Sequence, residues 1–280
     1  MTDTVYTVAS GETAKRNLVL LTLCLGVLVA QVDTSVVNLA MQPIGSAFHA
    51  PVSALQWVLD AYNLSYAALL LTGGLVADLY GRRRAFQAGA AILTLASIGC
   101  AVAGSVDFLV AARAIAGIGS ALLLPSSLSI VRVVWSEPNA RRRALGVWAS
   151  CNGLAFVIGP SLGGLLIRYF GWPSVFILAV PLALAALVLA AVVVPESSDP
   201  HGRHFDLAGQ IFGSLVLGGL VFAAIGAFSD RPAIIAAAVA AVSLLFFLWV
   251  ERHADAAALV PLTLFRNPAF CGAVAATASV

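Results

Sequence analysis

Hydrophobic residues occur in this chain as long uninterrupted runs, and the short segments between the runs hold most of the charged residues and turn formers. A helix needs about 20 consecutive apolar residues to cross a bilayer. Runs of this length therefore predict membrane-spanning helices, since the strands of a soluble sheet are much shorter. Eight such runs are present, at 17–40, 55–76, 85–103, 108–131, 144–167, 174–194, 207–228 and 232–250.

A ninth apolar run begins at residue 269 and reaches Val280, the last residue of the sequence. As a helix it would be about 18 Å long, at ~1.5 Å per residue. The hydrocarbon core of a bilayer is about 30 Å thick. We therefore expect residues 269–280 to be the start of a ninth, truncated span.

Composition supports lipid as the solvent of this chain. Hydrophobic residues make up 61% of the sequence and charged residues 10%, and the mean hydropathy is +0.99. Soluble domains carry about 25% charged residues, so this surface cannot be covered with water-compatible side chains. The expected class is an all-α integral membrane protein with the lipid bilayer as its partner. No nucleic-acid partner is expected, because the arginine triplet at 82–84 adjoins an apolar run and is first of all a membrane feature.

Basic residues give the predicted orientation. With the N-terminus inside, all 15 Lys and Arg residues except Arg113, Arg168 and Arg231 fall in inner segments. Short cytoplasmic loops carry such an excess of basic residues. We expect a multi-pass protein of the cytoplasmic membrane with a cytoplasmic N-terminus.

One sequence frame occurs twice with different charge. Residues 73–86 read GGLVADLYGRRRAF and residues 163–176 read GGLLIRYFGWPSVF. The first copy joins predicted spans 2 and 3 on the inside, and the second joins spans 5 and 6 on the outside. Only the inner copy carries the arginine cluster. The pair predicts a 3+3 inverted-topology repeat, an arrangement found in secondary transporters.

Several segments in order resemble the major facilitator superfamily, and within it the fourteen-span drug:proton antiporters. GLVADLYGRR at 74–83 resembles the loop between spans 2 and 3 of that family, and RAIAGIGSA at 113–121 resembles its span-4 motif. Gly146 with GPSLGG at 159–164 resembles the span-5 antiporter motif, in which Ala155 replaces a glycine. VDTSVVNLA at 32–40, LQWVLDAY at 55–62 and PLTLFR at 261–266 are similar to further segments of that branch.

The resemblance implies an N-terminal six-helix bundle of the major facilitator type, followed by two linker spans and the start of a ninth span. The expected organisation is a cytoplasmic N-terminus (1–16), the bundle (17–194), a cytoplasmic loop (195–206), the linker spans (207–250), a cytoplasmic connector (251–268) and the truncated ninth span (269–280).

The resemblance also implies a function, namely proton-coupled multidrug efflux and antibiotic resistance. The substrates would be drug-like amphipathic small molecules, the proton gradient would supply the energy, and no cofactor or metal is implied. Because the family's cavity lies between two six-span bundles, a missing C-terminal bundle or a partner chain would complete it. One alternative is a non-transporting or partner-dependent half-transporter.

A second alternative is an integral membrane enzyme. The sequence contains no nucleophile elbow, zinc signature or phosphate-binding glycine loop, so we expect no enzyme activity. The cysteines are isolated, and the histidines at 201 and 204 with their neighbouring acids fit a polar loop better than a metal site.

Three ionisable residues within predicted spans are candidates for proton coupling. Asp33, Asp60 and Arg113 are costly in a membrane, and such residues usually face a partner or a cavity. Arg113 would either extend to the outer interface or hold a carboxylate. Each aspartate would either form a fixed salt bridge or load and release protons.

Helical spacing groups some polar residues with these candidates. Gln56, Asp60 and Asn63 fall on one face of span 2, and Asn38 belongs to a polar face of span 1. Asp33 lies outside that face, so spacing alone does not place both aspartates on one cavity wall.

Two further sets of residues follow from the motifs. The arginine-rich loop would either fix the orientation or act as a cytoplasmic gate, and its candidate residues are Gly74, Asp78, Gly81, Arg82 and Arg83. The span-5 motif would either allow ordinary close packing or form a bent interface that controls leak. Its residues are Gly146, Gly159, Pro160, Gly163 and Gly164.

Overall fold

A computed structural model of the chain describes residues 2–199, 207–225, 231–253 and 272, and its elements in these ranges are all α-helices. Apart from residue 272, the predicted truncated span at 269–280 lies outside the described residues, as does most of the connector at 251–268. The helices are α1 (Thr2–Phe48), α2 (Val52–Tyr80), α3 (Arg82–Ala101), α4 (Val106–Val134), α5 (Pro138–Phe170), α6 (Pro173–Val193), α7 (Leu207–Ile225) and α8 (Arg231–His253).

Among the described residues, six helices are long and apolar enough to cross a membrane, namely α1, α3, α4, α5, α6 and α8. Helix α2 has 29 residues, which is sufficient length, but it is not among these six. The described part of α7 is too short to qualify. Some helices continue past the predicted apolar runs; α1, for example, ends at Phe48 and not at residue 40.

The chain divides into two compact units, Met1–Asp199 and Pro200–Val280. In the first unit α4 packs against α2 and α3, while α1 packs against α5 and α6, and α3 packs against α6. Exchanging α1, α2 and α3 with α4, α5 and α6 leaves this set of pairings unchanged. Such a pairing pattern is expected of a 3+3 repeat.

The core of the first unit consists of two apolar clusters at different levels of the bundle. One cluster lies toward the N-terminal end of α1 and includes Leu23, Phe86 and Leu123. The other lies toward the C-terminal end of α1 and includes Ile44 and Phe176. Arg113 lies between the two clusters along α4, and Asp33 lies at the start of the second cluster along α1, between Val32 and Val36.

Glycine allows the backbones of α2, α3 and α4 to approach closely. A Cβ atom at Gly73 would lie 1.9 Å from the carbonyl oxygen of Ala121, and one at Gly89 would lie 2.6 Å from that of Gly119. These distances are well inside van der Waals contact, and the atoms met are backbone atoms that cannot rotate away. The contact of α4 with both neighbours therefore requires glycine.

In the second unit the described residues form two helices that pack against each other. The rings of Phe212 on α7 and Phe246 on α8 are stacked with centroids 5.3 Å apart. Gly219 lies at the contact, where an added Cβ would be 3.0 Å from the carbonyl oxygen of Ala236. This unit is a helical hairpin in its described part.

Helix α5 begins at a charged cap. The carboxylate of Glu137 accepts hydrogen bonds from the backbone N–H groups of Asn139 and Ala140, and Pro138 occupies the first helical position. These hydrogen bonds, with a smaller contribution from Arg143, lower the pKa of Glu137 below its ordinary value. The cap is therefore strongest while Glu137 is ionised.

We expect substitution of Gly73 by alanine to destabilise the first unit by about 1–3 kcal/mol, the usual cost of overpacking. The matched control is Gly153→Ala, since Gly153 is also within a helix but has no atom within 4 Å of its added Cβ. Thermal unfolding in detergent would measure both. Equal stability of the two variants would contradict the close contact between α2 and α4.

The cap of α5 predicts a pH dependence. A lowered pKa in the folded chain means that the stabilisation is complete above the ordinary glutamate value of about 4.3 and is lost as the pH falls through the lowered value. Hydrogen-exchange protection of the Asn139 and Ala140 amides should fall over that acidic range. In the variant Glu137→Gln the protection should be independent of pH over this range. If the variant keeps the same pH dependence as the wild-type chain, another group is responsible for the effect.

Candidate functional site

Arg113 is the centre of the candidate site. Its side chain is 1% exposed, so it does not extend to the interface as one of the sequence-based alternatives supposed. The Nη1 atom donates a hydrogen bond to Oδ2 of Asp33 on α1, and Nε donates to the carbonyl oxygen of Val58 on α2, 3.1 Å away. One side chain on α4 thus joins three helices.

Aromatic rings enclose the guanidinium group. Its Cζ atom lies 4.5 Å from the ring centroid of Tyr62 and 6.0 Å from that of Phe176. The Tyr62 hydroxyl lies 2.7 Å from Oγ of Ser120 and 3.3 Å from the carbonyl oxygen of Ala30. Desolvated cation–π contacts of this type stabilise by about 2 kcal/mol or more.

Tyr62 was not among the residues that the sequence predicted, although it lies inside the quoted segment at 55–62. A signal for it was present, because Val58 and Tyr62 are four residues apart and share one face of a helix. That face points toward Arg113, with the carbonyl of one residue and the ring of the other in contact with it.

The carboxylate of Asp33 is buried but only partly satisfied. Oδ2 is paired with Arg113, whereas Oδ1 has no hydrogen-bond partner among the described residues. A carboxylate normally accepts several hydrogen bonds when it is removed from water, and an unpaired buried oxygen costs about 1–3 kcal/mol. The described contacts therefore compensate the burial of this carboxylate only in part.

The structure separates Asp60 from this centre. Asp60 lies two residues from both Val58 and Tyr62, and is therefore on the opposite side of α2. It is half-buried and forms no ion pair with the described part of the chain. Arg113 forms its ion pair with Asp33 and not with Asp60.

The other polar candidates lie on the surface of the six-helix unit. Gln56 and Asn63 are exposed on α2, near the half-buried Asp60. Asn38 on α1 is also exposed and donates to the carbonyl oxygen of Thr34. The predicted polar stripe thus faces outward and does not line the buried ion pair.

The span-5 motif divides into two faces. Gly159 and Gly163 face α1, where an added Cβ would lie 2.0 Å from Ser35 Oγ and 2.6 Å from a methyl group of Val36. Gly146 and Gly164 have open space around them, and Pro160 is exposed. Only part of the motif therefore serves the close packing of α1 on α5.

Hydrogen bonds extend the contact between α1 and α5. The side-chain amide of Gln31 donates to Oδ1 of Asn152 at 2.6 Å. Ser35 Oγ lies 3.3 Å from the carbonyl oxygen of Ala155, so the residue that departs from the family pattern takes part through its backbone. These contacts are in the turns of α1 that flank Asp33.

The turn between α2 and α3 is held by an ion pair and a glycine. Nη2 of Arg82 lies 2.9 Å from Oδ1 of Asp78. Gly81 has a φ of 113°, which other residues rarely adopt, and an added Cβ there would lie 2.8 Å from Glu196 Oε1. Gly74, about two helical turns earlier in α2, packs against Pro125 of α4.

The segment after α6 completes this turn. Oε1 of Glu196 accepts from the backbone N–H of Arg83 at 3.1 Å, and its other oxygen lies 3.6 Å from Nε of the same residue. The N–H of Arg82 donates to the carbonyl of Ser197, and that of Asp199 donates to the carbonyl of Asp78. Glu196 was not predicted from the sequence, although it is an acid directly after span 6.

A sequence profile of the Major Facilitator Superfamily matches residues 23–280. The chain belongs to the major facilitator superfamily. Its helical fold agrees with this assignment, because a peptide transporter POT in complex with alafosfalin superimposes on 83% of this chain with a TM-score of 0.60 at 18% identity, which covers 51% of that transporter.

Relatives in this superfamily include named resistance proteins. The chain is 34% identical to the multidrug resistance protein Stp of Mycobacterium tuberculosis over 91% of its own length and 48% of Stp. It is 36% identical to the methylenomycin A resistance protein of Bacillus subtilis, over 91% of this chain and 55% of that protein. It is also 36% identical to the multidrug efflux pump LfrA of Mycolicibacterium smegmatis, over 91% of this chain and 51% of LfrA. The chain spans about half the length of these relatives.

The buried ion pair predicts a characteristic result in a double-mutant cycle. Arg113→Met leaves a buried unpaired carboxylate and should cost about 3–5 kcal/mol of stability. The double variant Asp33→Leu with Arg113→Met removes both charges and should be more stable than the single Arg113 variant. Unfolding in detergent measures all four members of the cycle.

Asp60→Asn is the control for this cycle, because it removes a carboxylate that has no ion pair in the described part of the chain. Its effect on stability should stay within about 0.5 kcal/mol. Additive effects of the Asp33 and Arg113 substitutions would show that the two charges do not stabilise each other.

Proposed function

We propose that this chain forms the N-terminal part of a proton-coupled exporter of drugs or other toxic amphipathic molecules across the cytoplasmic membrane. The observation that carries the proposal is the buried Asp33–Arg113 pair with its unpaired Oδ1 atom. The names of the relatives, a multidrug resistance protein and a multidrug efflux pump, support the same assignment.

Asp33 is the proposed proton carrier. Protonation neutralises its carboxylate and removes the charge that balances Arg113, which cannot itself lose a proton. Arg113 keeps its contacts with Val58 and Tyr62, both on α2. The proton therefore weakens the connection from α4 to α1 while that from α4 to α2 remains.

The contacts between α1 and α5 give this change a route to other helices. Asp33 precedes Ser35 and Val36 by less than one turn, and these two residues meet Gly159 and Gly163. A shift of α1 at Asp33 must therefore move the tightest contact with α5. Close packing of small residues transmits such a shift, because little free space absorbs it.

The exposed polar residues of α1 and α2 form the proposed substrate surface. Asn38, Gln56 and Asn63 supply hydrogen-bonding groups, and Asp60 supplies a negative charge suited to a cationic substrate. The opposite wall of the cavity would come from a second six-span bundle, in the same polypeptide or in a partner chain. The relatives are about twice as long as this chain, which is the length that a second bundle requires.

The turn between α2 and α3 is the proposed cytoplasmic gate. Its ion pair and its hydrogen bonds to residues 196–199 lie at one end of the bundle. The excess of basic residues in these segments supports a cytoplasmic position for this end and for the N-terminus. Opening toward the cytoplasm would separate the turn from the segment after α6.

Transport by proteoliposomes tests the proposal. The chain is reconstituted alone and together with the second bundle of a relative, and uptake of a fluorescent cationic dye is followed after a proton gradient is imposed. We expect gradient-driven uptake only when both bundles are present. Asp33→Asn should abolish it, and Asp60→Asn should weaken transport of a cationic dye more than that of a neutral one.

Asp107→Asn is the control, because Asp107 is an exposed acid in the first turn of α4 and should not affect transport. Gradient-driven uptake that persists in the Asp33→Asn variant would show that Asp33 does not carry the coupled proton. Failure of every combination to transport would favour the alternative of a non-transporting membrane protein.

A further inference from the structure

A small cavity lined by two basic and three apolar residues lies at one end of the first unit. Its volume is about 140 Å³, and it is lined by Lys15, Arg16 and Val19 of α1, Val134 of α4 and Pro195 after α6. Sites for drug-sized ligands have volumes of about 300 Å³ or more. This cavity suits a smaller group with a negative charge and an apolar continuation.

All the lining residues lie at the boundary of the membrane-spanning region. Lys15 and Arg16 immediately precede the apolar run of α1, which begins at residue 17. Val134 and Pro195 follow the ends of the apolar runs of α4 and α6 by one to three residues. Lipid headgroups occupy this level of a bilayer.

The two cations of the cavity have no counter-ion within the described part of the chain. Lys15 and Arg16 are exposed and form no ion pair there. The acid that lies closest to the cavity in sequence, Glu196, is engaged with Arg83 and Arg84. Among the described residues no acid balances these two cations, so their charge can attract an external anion.

We propose that this cavity binds the headgroup of an anionic phospholipid of the cytoplasmic leaflet. Lys15 and Arg16 would pair with the phosphate, and Val19, Val134 and Pro195 would contact the first apolar carbons of the lipid. Basic pockets between spanning helices on the cytoplasmic side are suited to such lipids. This site is independent of the proposed drug cavity and of proton coupling.

Native mass spectrometry of the purified chain tests the site with dioleoyl phosphatidylglycerol as the probe. Dioleoyl phosphatidylcholine has the same acyl chains but no net charge, and inorganic phosphate has the anion without the chains. We expect retention of phosphatidylglycerol and of neither other compound. Lys15→Gln with Arg16→Gln should weaken its binding by roughly 30-fold, since each such cation contributes about fivefold.

The matched control is Arg142→Gln with Arg143→Gln, which removes two exposed charges at the start of α5 but leaves the cavity intact. Equal losses in the two double variants would reduce the effect to non-specific attraction and overturn the proposal. Binding of inorganic phosphate as strong as that of the lipid would also overturn it, in favour of an anion site.

Removal of two basic residues can impair insertion, so a second variant tests the same site without a loss of charge. Val134→Trp fills the half-buried apolar wall and should reduce retention of phosphatidylglycerol severalfold. Unchanged retention in this variant would place the bound lipid elsewhere on the protein. The proposal does not require transport, so its failure and that of the proposed exporter are distinguishable.

Discussion

The buried charge of Arg113 is the constraint on which the six-helix unit depends. A guanidinium group stays protonated at any physiological pH, and the effective penalty for burying such an ion is several kcal/mol. Its position on α4 must therefore be matched by acceptors on neighbouring helices. α1 supplies the Asp33 carboxylate, and α2 supplies the Val58 carbonyl and the Tyr62 ring. The relative positions of three helices follow from satisfying one side chain.

Small residues make these positions attainable. The Cβ that a larger residue would place at Gly117 would lie 2.4 Å from the carbonyl oxygen of Tyr62, one turn of α4 away from Arg113. On the other side of α1, Gly159 and Gly163 allow α5 to approach Ser35 and Val36. The polar centre and the glycine contacts are thus parts of one packing arrangement, and a change at Asp33 reaches both.

Local sequence signals predicted the helices well and the partners poorly. Apolar runs located the spans because each needs only its own residues, and the cost of burying Arg113 predicted that it would have a partner. The identity of that partner depends on a contact between residues 80 positions apart, and the face of α1 on which Asp33 lies gave no indication of it. Glu196 was missed for the same reason, since it meets Arg83 across 113 positions. Helical periodicity describes one helix at a time, whereas both contacts are tertiary.

The segment after α6 connects the proposed gate with the proposed lipid site. Pro195 forms part of the cavity wall, and the next residue, Glu196, holds the start of α3. Ser197 and Asp199 continue this contact through backbone hydrogen bonds to the turn. A headgroup in the cavity would therefore touch the same short segment that must separate from the turn when the gate opens. Pro195 and Glu196 are joined by one peptide bond. An anionic lipid that restrains Pro195 would therefore favour the state in which Glu196 keeps its contact with Arg83.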